Sequence, residues 1–320
     1  MHRRHLLAAL PAATLATPAL AQAWPAQPVR GIVPFAAGSA TDTVARLFAE
    51  RMREVLGQPV VVENRAGASG LIGAEFVARA PADGYTFLFG TNSTNAAANA
   101  LFRRVPFDME RDFAPVSLLA SVPLLVAVPA TSPHRTLESL LAAARARPES
   151  VSFASASSSQ RVAAEMLASQ AGVKMLHVPY RSSPNAVQDL ISGRVDLFVA
   201  DQAVILPGVQ GGQLRALGIT TRTRSTQLPD VAPVAEQGLP NYEIFAWFVA
   251  VVPAATPAAP IQRLNAAVRH AAADATLRER LGSGLGMQLL PSTPEEATAF
   301  MRAETVKWTN AIRAAGIEPE

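Results

Sequence analysis

Short apolar runs alternate with helix-period segments along most of this chain, and that alternation limits the fold more than any other feature. Val29–Phe35 reads as a strand and Thr43–Leu56 as a helix, with Val44, Leu47 and Phe48 on one stripe. Val60–Glu63, Gly70–Arg79 and Thr86–Gly90 continue as strand, helix and strand. Later, Leu124–Val128, Val151–Ala154, Leu176–Val178, Leu197–Val199 and Leu214–Ile219 read as strands. Leu137–Arg147, Gln160–Gln170 and Asn185–Ser192 read as helices between them. Strands separated by helices predict parallel βαβ units with helices on both sheet faces. Ligands of such sheets sit at the carboxyl ends of the strands.

Two apolar runs break the rhythm. Val116–Pro129, a long apolar run after the polar stretch Asp108–Asp112, and Phe245–Pro253 read as strands crossing between lobes. Helical patterns follow at Ile261–Ala273 and Glu295–Ala315.

The most suggestive turn joins the first strand to the first helix. Ala36 to Thr41 are small residues placed where helix-start N–H groups have no intrahelical partner. Such a terminus favours anions. The same turn is also consistent with an ordinary βα connection, with Thr41 or Asp42 as N-cap.

The beginning of the chain has the pattern of an export signal. Arg3 and Arg4 precede an apolar stretch, Leu6–Ala16, and Ala21-Gln22-Ala23 is a small-x-small cleavage motif. Residues 1–23 are therefore expected to be removed after Ala23, leaving an exported chain that starts at Trp24. The arginine pair leaves both the general and the twin-arginine export routes open. Without Arg3 and Arg4 the chain has 26 basic and 25 acidic residues, so there is no basic excess to bind nucleic acid. It has no cysteine, which removes disulfides, thiolate metal sites and a cysteine nucleophile.

Five segments, read in order, resemble one family. They are VPFAAGSATD at 33–42, VVENRAGASGLIGAEFVARAPADGYTFLFGT at 61–91, HVPYRSSPNAVQDLISGRVDLFVAD at 177–201, LPDVAPVAEQGLPNYE at 228–243 and KWTNAIRAAGI at 307–317. The chain is similar to the periplasmic solute receptors of tripartite tricarboxylate transporters, the Bug family. The resemblance implies an α/β, two-lobed periplasmic-binding-protein-like fold of type II, each lobe a mostly parallel sheet flanked by helices. Lobe 1 would hold residues 24–123 and 245–320, and lobe 2 residues 124–244. It also implies a small carboxylate held between the lobes by backbone amides, hydroxyls and water.

Carried onto this sequence, the first carboxylate loop comprises Phe35, Gly38, Ser39, Ala40 and Thr41, with Ser39 where the family has a glycine. Phe35 would wall the pocket or pack in the core. Thr91, Asn92 and Ser93 follow the third strand, either as ligand donors or as a capped turn. Ser155, Ser157, Ser158 and Ser159 replace glycines before a helix; they would donate to a carboxylate or cap that helix. Arg161 stands where a histidine is common, as a bidentate carboxylate contact or a solvated side chain. Tyr180 would close over the ligand or pack with its hydroxyl in water. Asp201 would orient a water or accept from a ligand donor group, or cap the following turn.

No catalytic constellation competes with this reading. There is no Gly-x-Ser-x-Gly elbow, and His134, His177 and His270 lie in unrelated contexts without metal-ligand spacing. Gly282-Ser283-Gly284-Leu285-Gly286 follows a helix rather than a strand, which argues against a dinucleotide site. The expectation is a monomeric solute receptor, not an enzyme, with no cofactor and no metal, whose partners are a small carboxylate and integral-membrane transporter subunits. A periplasmic ligand sensor engaging a sensor-kinase domain uses the same site and is the alternative.

Overall fold

The computed structural model describes Trp24–Glu320; the expected signal segment lies outside the described residues. The chain runs β1 (Val29–Val33), α1 (Ala40–Leu56), β2 (Val60–Asn64), α2 (Leu71–Ala78) and β3 (Thr86–Thr91). A buried π-helical turn, Ser93–Ala97, then leads into α3 (Ala98–Leu101) and the long strand β4 (Phe113–Pro129). Next come α4 (Leu137–Ala146), β5 (Ser152–Ser155), α5 (Ser158–Ala171), β6 (Leu176–Pro179) and α6 (Ser183–Ile191). The order continues with β7 (Leu197–Asp201), α7 (Gln202–Gln210), β8 (Leu214–Ile219) and β9 (Phe245–Pro253). It closes with α8 (Ala258–Ala273), α9 (Ala275–Leu277), β10 (Gln288–Leu289) and α10 (Pro294–Ala314).

Strand β4 serves two sheets. From Phe113 to Pro123 it pairs antiparallel with β9, and from Leu124 onward with β7 and β8. At 17 residues it spans roughly 55 Å, enough for both. Register shifts near Val116, Leu119 and Val126 bend it along the way. The first sheet runs β2-β1-β3-β9-β4, with β10 on β4; the second runs β6-β5-β7-β4 with β8 also on β4. The βαβ units are parallel, as their crossovers require: β1 with β2 and β3, and β5 with β6 and β7. The two sheets are α/β with parallel βαβ cores as expected, and both are mixed, because β9 and β4 join the first antiparallel and β4 and β8 join the second antiparallel.

The period of two is visible in β4. Leu124, Val126 and Val128 join the main core under α4 and α5, while Leu125 and Ala127 join a second cluster with Phe198, Ala200, Ile205 and Leu190. Both faces of this strand are buried, which is why it reads as a continuous apolar run.

Two helices escape the sequence reading. Helix α7 carries Pro207 inside it, a residue that normally argues against a helix. Ser93–Leu101 begins with turn-forming residues yet is fully helical. Among the described residues, no helix is long and apolar enough to cross a membrane.

Candidate functional site

Carboxyl ends of β1 and β3 in one sheet, and of β5, β6 and β7 in the other, meet at a common cleft. Each delivers the start of a helix there. The result is a ring of small polar residues with unpaired amides and no basic side chain around the inner cavity.

The first helix start is α1. Ser39 is its N-cap, extended at φ −70 and ψ 162, and its hydroxyl accepts from the Asp42 amide at 3.2 Å. The cap is therefore neither Thr41 nor Asp42, and the helix begins three residues earlier than the expected Thr43. Asp42 instead braces the turn. Its carboxylate accepts from the Gly38 amide at 3.0 Å, from Asn64 at 2.9 Å and from Arg46 at 3.0 Å. Burial alone would raise the Asp42 pKa, but these hydrogen bonds outweigh it and hold the carboxyl below its ordinary range. Gly38 thus spends its amide on Asp42, and Ser39 spends its own on the Ala36 carbonyl. The Ala40 and Thr41 amides have no acceptor among the described residues, and both residues line the cavity.

The turn after β3 is the second contribution. Thr91, Asn92 and Ser93 are all buried and all line the same cavity. The Ser93 amide donates to the Thr91 hydroxyl at 3.2 Å. The Asn92 side chain accepts a long bond from the Trp247 amide, while its Nδ2 is buried and has no partner among the described residues.

The second sheet supplies α5, α6 and α7. Ser157 caps α5, accepting from the Gln160 amide, and Ser182 caps α6. Gln160, buried, ties three of these ends together. It accepts from the Ala156 amide at 2.8 Å and donates to Ser183 at 3.0 Å and to Asp201 at 3.2 Å. Asp201 stands at the end of β7, and burial pushes its pKa upward against the Gln160 hydrogen bond. It precedes α7 without a side-chain capping bond.

The two sides touch across the cleft. The Ser159 amide donates to Ser93 Oγ at 3.1 Å, and the two hydroxyls are 3.2 Å apart. The inner cavity is accordingly small, about 20 Å³, which holds little more than one water. Phe35 and Ser157 also line a wide outer cleft of about 760 Å³, open to solvent.

Of the residues expected from sequence, Phe35, Ser39, Ala40, Thr41, Thr91, Asn92, Ser93, Ser157 and Asp201 surround the inner cavity. Ser155, Ser158 and Tyr180 line only the outer cleft, and Gly38 lines neither. Ser155 hydrogen-bonds His177 at 2.7 Å, and Tyr180 donates to Asp189 at 2.9 Å. Ser159, read from sequence as one of the serines before α5, also lines the inner cavity, whereas Gln160, Ser183, Ala246 and Phe248 were not read as site residues. Ser183 carried a signal, being in the first turn of a helix; Ala246 and Phe248, from the far crossing strand, carried none.

Comparison with known proteins agrees with this architecture. The family model described as tripartite tricarboxylate transporter family receptor matches residues 44–317. A UPF0065 protein from the tcbD-tcbE intergenic region of a Pseudomonas species is 40% identical over 317 residues, covering 97% of this chain and 94% of the relative. BugT of Bordetella pertussis is 34% identical, covering 95% of this chain and 94% of the relative. Among solved structures, an R. palustris protein with adipate superposes with a TM-score of 0.89 at 33% identity, covering 93% of this chain and all of that one. MatC from Rhodopseudomonas palustris with bound malate gives 0.86 at 32% identity, covering 90% of this chain and all of that one.

Proposed function

The chain belongs to the tripartite tricarboxylate transporter receptor family, the Bug-type periplasmic solute receptors, and on that premise we propose that it binds a small mono- or dicarboxylate between its two lobes and delivers it to membrane transporter subunits. The family is one of solute receptors rather than enzymes. Residues 24–123 and 245–320 form one lobe and 124–244 the other, a division supported by the change of partners that β4 makes between Pro123 and Leu124. The protein acts as a periplasmic monomer after cleavage following Ala23.

The observation that carries the reading is the pair of amides on Ala40 and Thr41 without an acceptor among the described residues, beside a cavity ringed by hydroxyls and lined by no basic side chain. A carboxylate there takes two N–H donors at the positive end of α1. Ser93, Ser157 and Thr41 supply hydroxyls from both sides, so the ligand adds a bond between the lobes to the direct Ser93–Ser159 contact. Burial raises the pKa of Asp201 against its Gln160 hydrogen bond, which reduces its repulsion of an anionic ligand. Two relatives in solved structures carry adipate and malate, which supports a short-chain acid as the ligand class. Opening of the lobes about β4 and β9 admits the ligand, because the inner cavity is too small to load while closed.

A thermal-shift screen of Trp24–Glu320 against organic acids tests this. Ligand at 100 times its Kd stabilises the folded form by about 2.7 kcal/mol. A saturable rise of several degrees with one acid, absent with its amide, is the expected result. A cooperative melt that no carboxylate shifts would refute the receptor reading.

A further inference from the structure

We propose that Arg161 receives the distal carboxylate of a dicarboxylate ligand, and that the Glu320 side chain occupies that place when the cleft is empty. The inference rests on the receptor reading above and extends it to ligand class.

Arg161 lies four residues after Ser157, on the same face of α5 and one turn deeper into the helix. Ser157 belongs to both the inner cavity and the outer cleft, and Arg161 lines the outer cleft only. A ligand with one carboxylate on the α1 amides therefore points its other end along this face. The guanidinium is mostly buried, with 18% of its side chain exposed. One nitrogen sits 3.0 Å from Glu320 Oε1. Its Nε is buried and has no hydrogen-bond partner among the described residues, since Glu165 Oε1 stands 4.0 Å away. Glu165, whose pKa burial raises, stands at the limit of ion-pair distance from that nitrogen. A guanidinium with a spare donor in a polar cleft fits a planar carboxylate.

Glu320 has the same chemical group as the proposed ligand end. Its backbone is fixed to α3: the Glu320 amide donates to the Leu101 carbonyl at 2.9 Å, and Arg103 donates back to the Glu320 carbonyl at 2.9 Å. Its side chain is 59% exposed and crosses the cleft mouth to α5. A partly exposed ion pair is weak, so a rotamer change alone releases Arg161 without moving the backbone. The other cleft groups are less suited. Burial lowers the pKa of His177, and its Nε2 is engaged with Ser155. Arg181 is exposed.

Isothermal titration on the wild type, Arg161→Gln and Glu320→Gln tests the assignment. The probes are whichever of malate, succinate, glutarate and adipate shifts the melt most, and the monoamide of that acid. Arg161→Gln is expected to weaken the dicarboxylate about 10- to 100-fold while changing the monoamide less than threefold. Glu320→Gln, at a mostly exposed side chain, is expected to tighten the dicarboxylate about two- to tenfold. Equal loss of both ligands in Arg161→Gln, or no gain in Glu320→Gln, overturns the assignment and leaves the receptor reading intact. Binding of monocarboxylates without any dicarboxylate does the same. Failure of the wild type to bind any carboxylate removes the receptor reading and this inference with it.

Discussion

Replacing Ala40 by proline separates ligand capture from folding more cleanly than any side-chain change. Ala40 is the first residue of α1, where proline is well tolerated because the missing N–H has no intrahelical partner. The residue before a proline must be extended, and Ser39 already is, at φ −70 and ψ 162. Ala40 is 4% exposed and its amide is unpaired among the described residues, so the unliganded protein loses no hydrogen bond. Reduced freedom of the unfolded chain should then stabilise it by about 0.4–1 kcal/mol. Binding should move the other way. A hydrogen bond to a charged group contributes about 1.5–3 kcal/mol, so carboxylate affinity falls roughly 10- to 150-fold. Ala40→Gly keeps the N–H and serves as the control: it should destabilise the helix by about 0.5–1 kcal/mol and leave affinity nearly unchanged. Melting curves and titration calorimetry on the three proteins read both quantities. Unaltered carboxylate affinity in Ala40→Pro would show that this amide is not a ligand donor. A melt several degrees lower would show that α1 does not start as described.

Asp42, which braces the α1 turn, and Asp201, which lines the inner cavity, should respond to pH in opposite senses. Asp42 has a lowered folded pKa, so its contribution is present above its ordinary value of 3.8 and is lost as pH falls through the folded value. Asp42→Asn sets an amide NH2 against the Gly38 amide and half-exposed Arg46, and should cost about 1–3 kcal/mol at pH 7 by thermal melting, with a smaller acid-side loss. Asp201 has a raised folded pKa, so stability is fully present below 3.8 and is lost as pH rises through the folded value. Asp201→Asn should melt above the wild type at pH 7, with the gap closing toward pH 4; a constant gap would contradict the burial argument. Gly73→Ala places a methyl 2.8 Å from Pro34 Cα and 2.9 Å from the Arg65 carbonyl, both backbone, and should cost about 1–3 kcal/mol in chemical denaturation. Gly282→Ala, whose methyl meets only the Met287 carbonyl at 3.8 Å, is its matched control. Glu304 accepts both Trp247 and Trp308 indole N–H groups on one oxygen, at 2.8 and 3.0 Å. Glu304→Gln keeps that oxygen and should cost little, whereas Glu304→Met strands two buried donors and should cost about 2–5 kcal/mol by the same assay.

How much of this was legible in sequence differs from element to element. Strand and helix periods located β1 to β3 and β5 to β8 to within a few residues, because an apolar face is a local property of the chain. The long runs at Val116 and Phe245 marked β4 and β9, since strands buried on both faces need continuous apolar sequence. Helix α7 stayed hidden behind Pro207, which tertiary packing tolerates and local propensity does not predict.

The sequence by itself determined that small and hydroxyl residues follow the carboxyl ends of strands, and so which loops could meet a ligand. Only the tertiary structure decided which groups within those loops are free. Gly38, Ser39, Ala40 and Thr41 all read as amide donors, but Asp42 and the Ala36 carbonyl consume the N–H groups of the first two and leave those of Ala40 and Thr41 without an acceptor beside the cavity. Gln160 became the hub of the second side because α6 and β7 bring Ser183 and Asp201 within its reach, across 23 and 41 residues of chain. Arg161 and Glu320, 159 positions apart, became partners only when α3 and α5 faced each other across the cleft. Hydrogen-bond satisfaction is a property of everything packed around a group, and a linear pattern carries only its immediate neighbours.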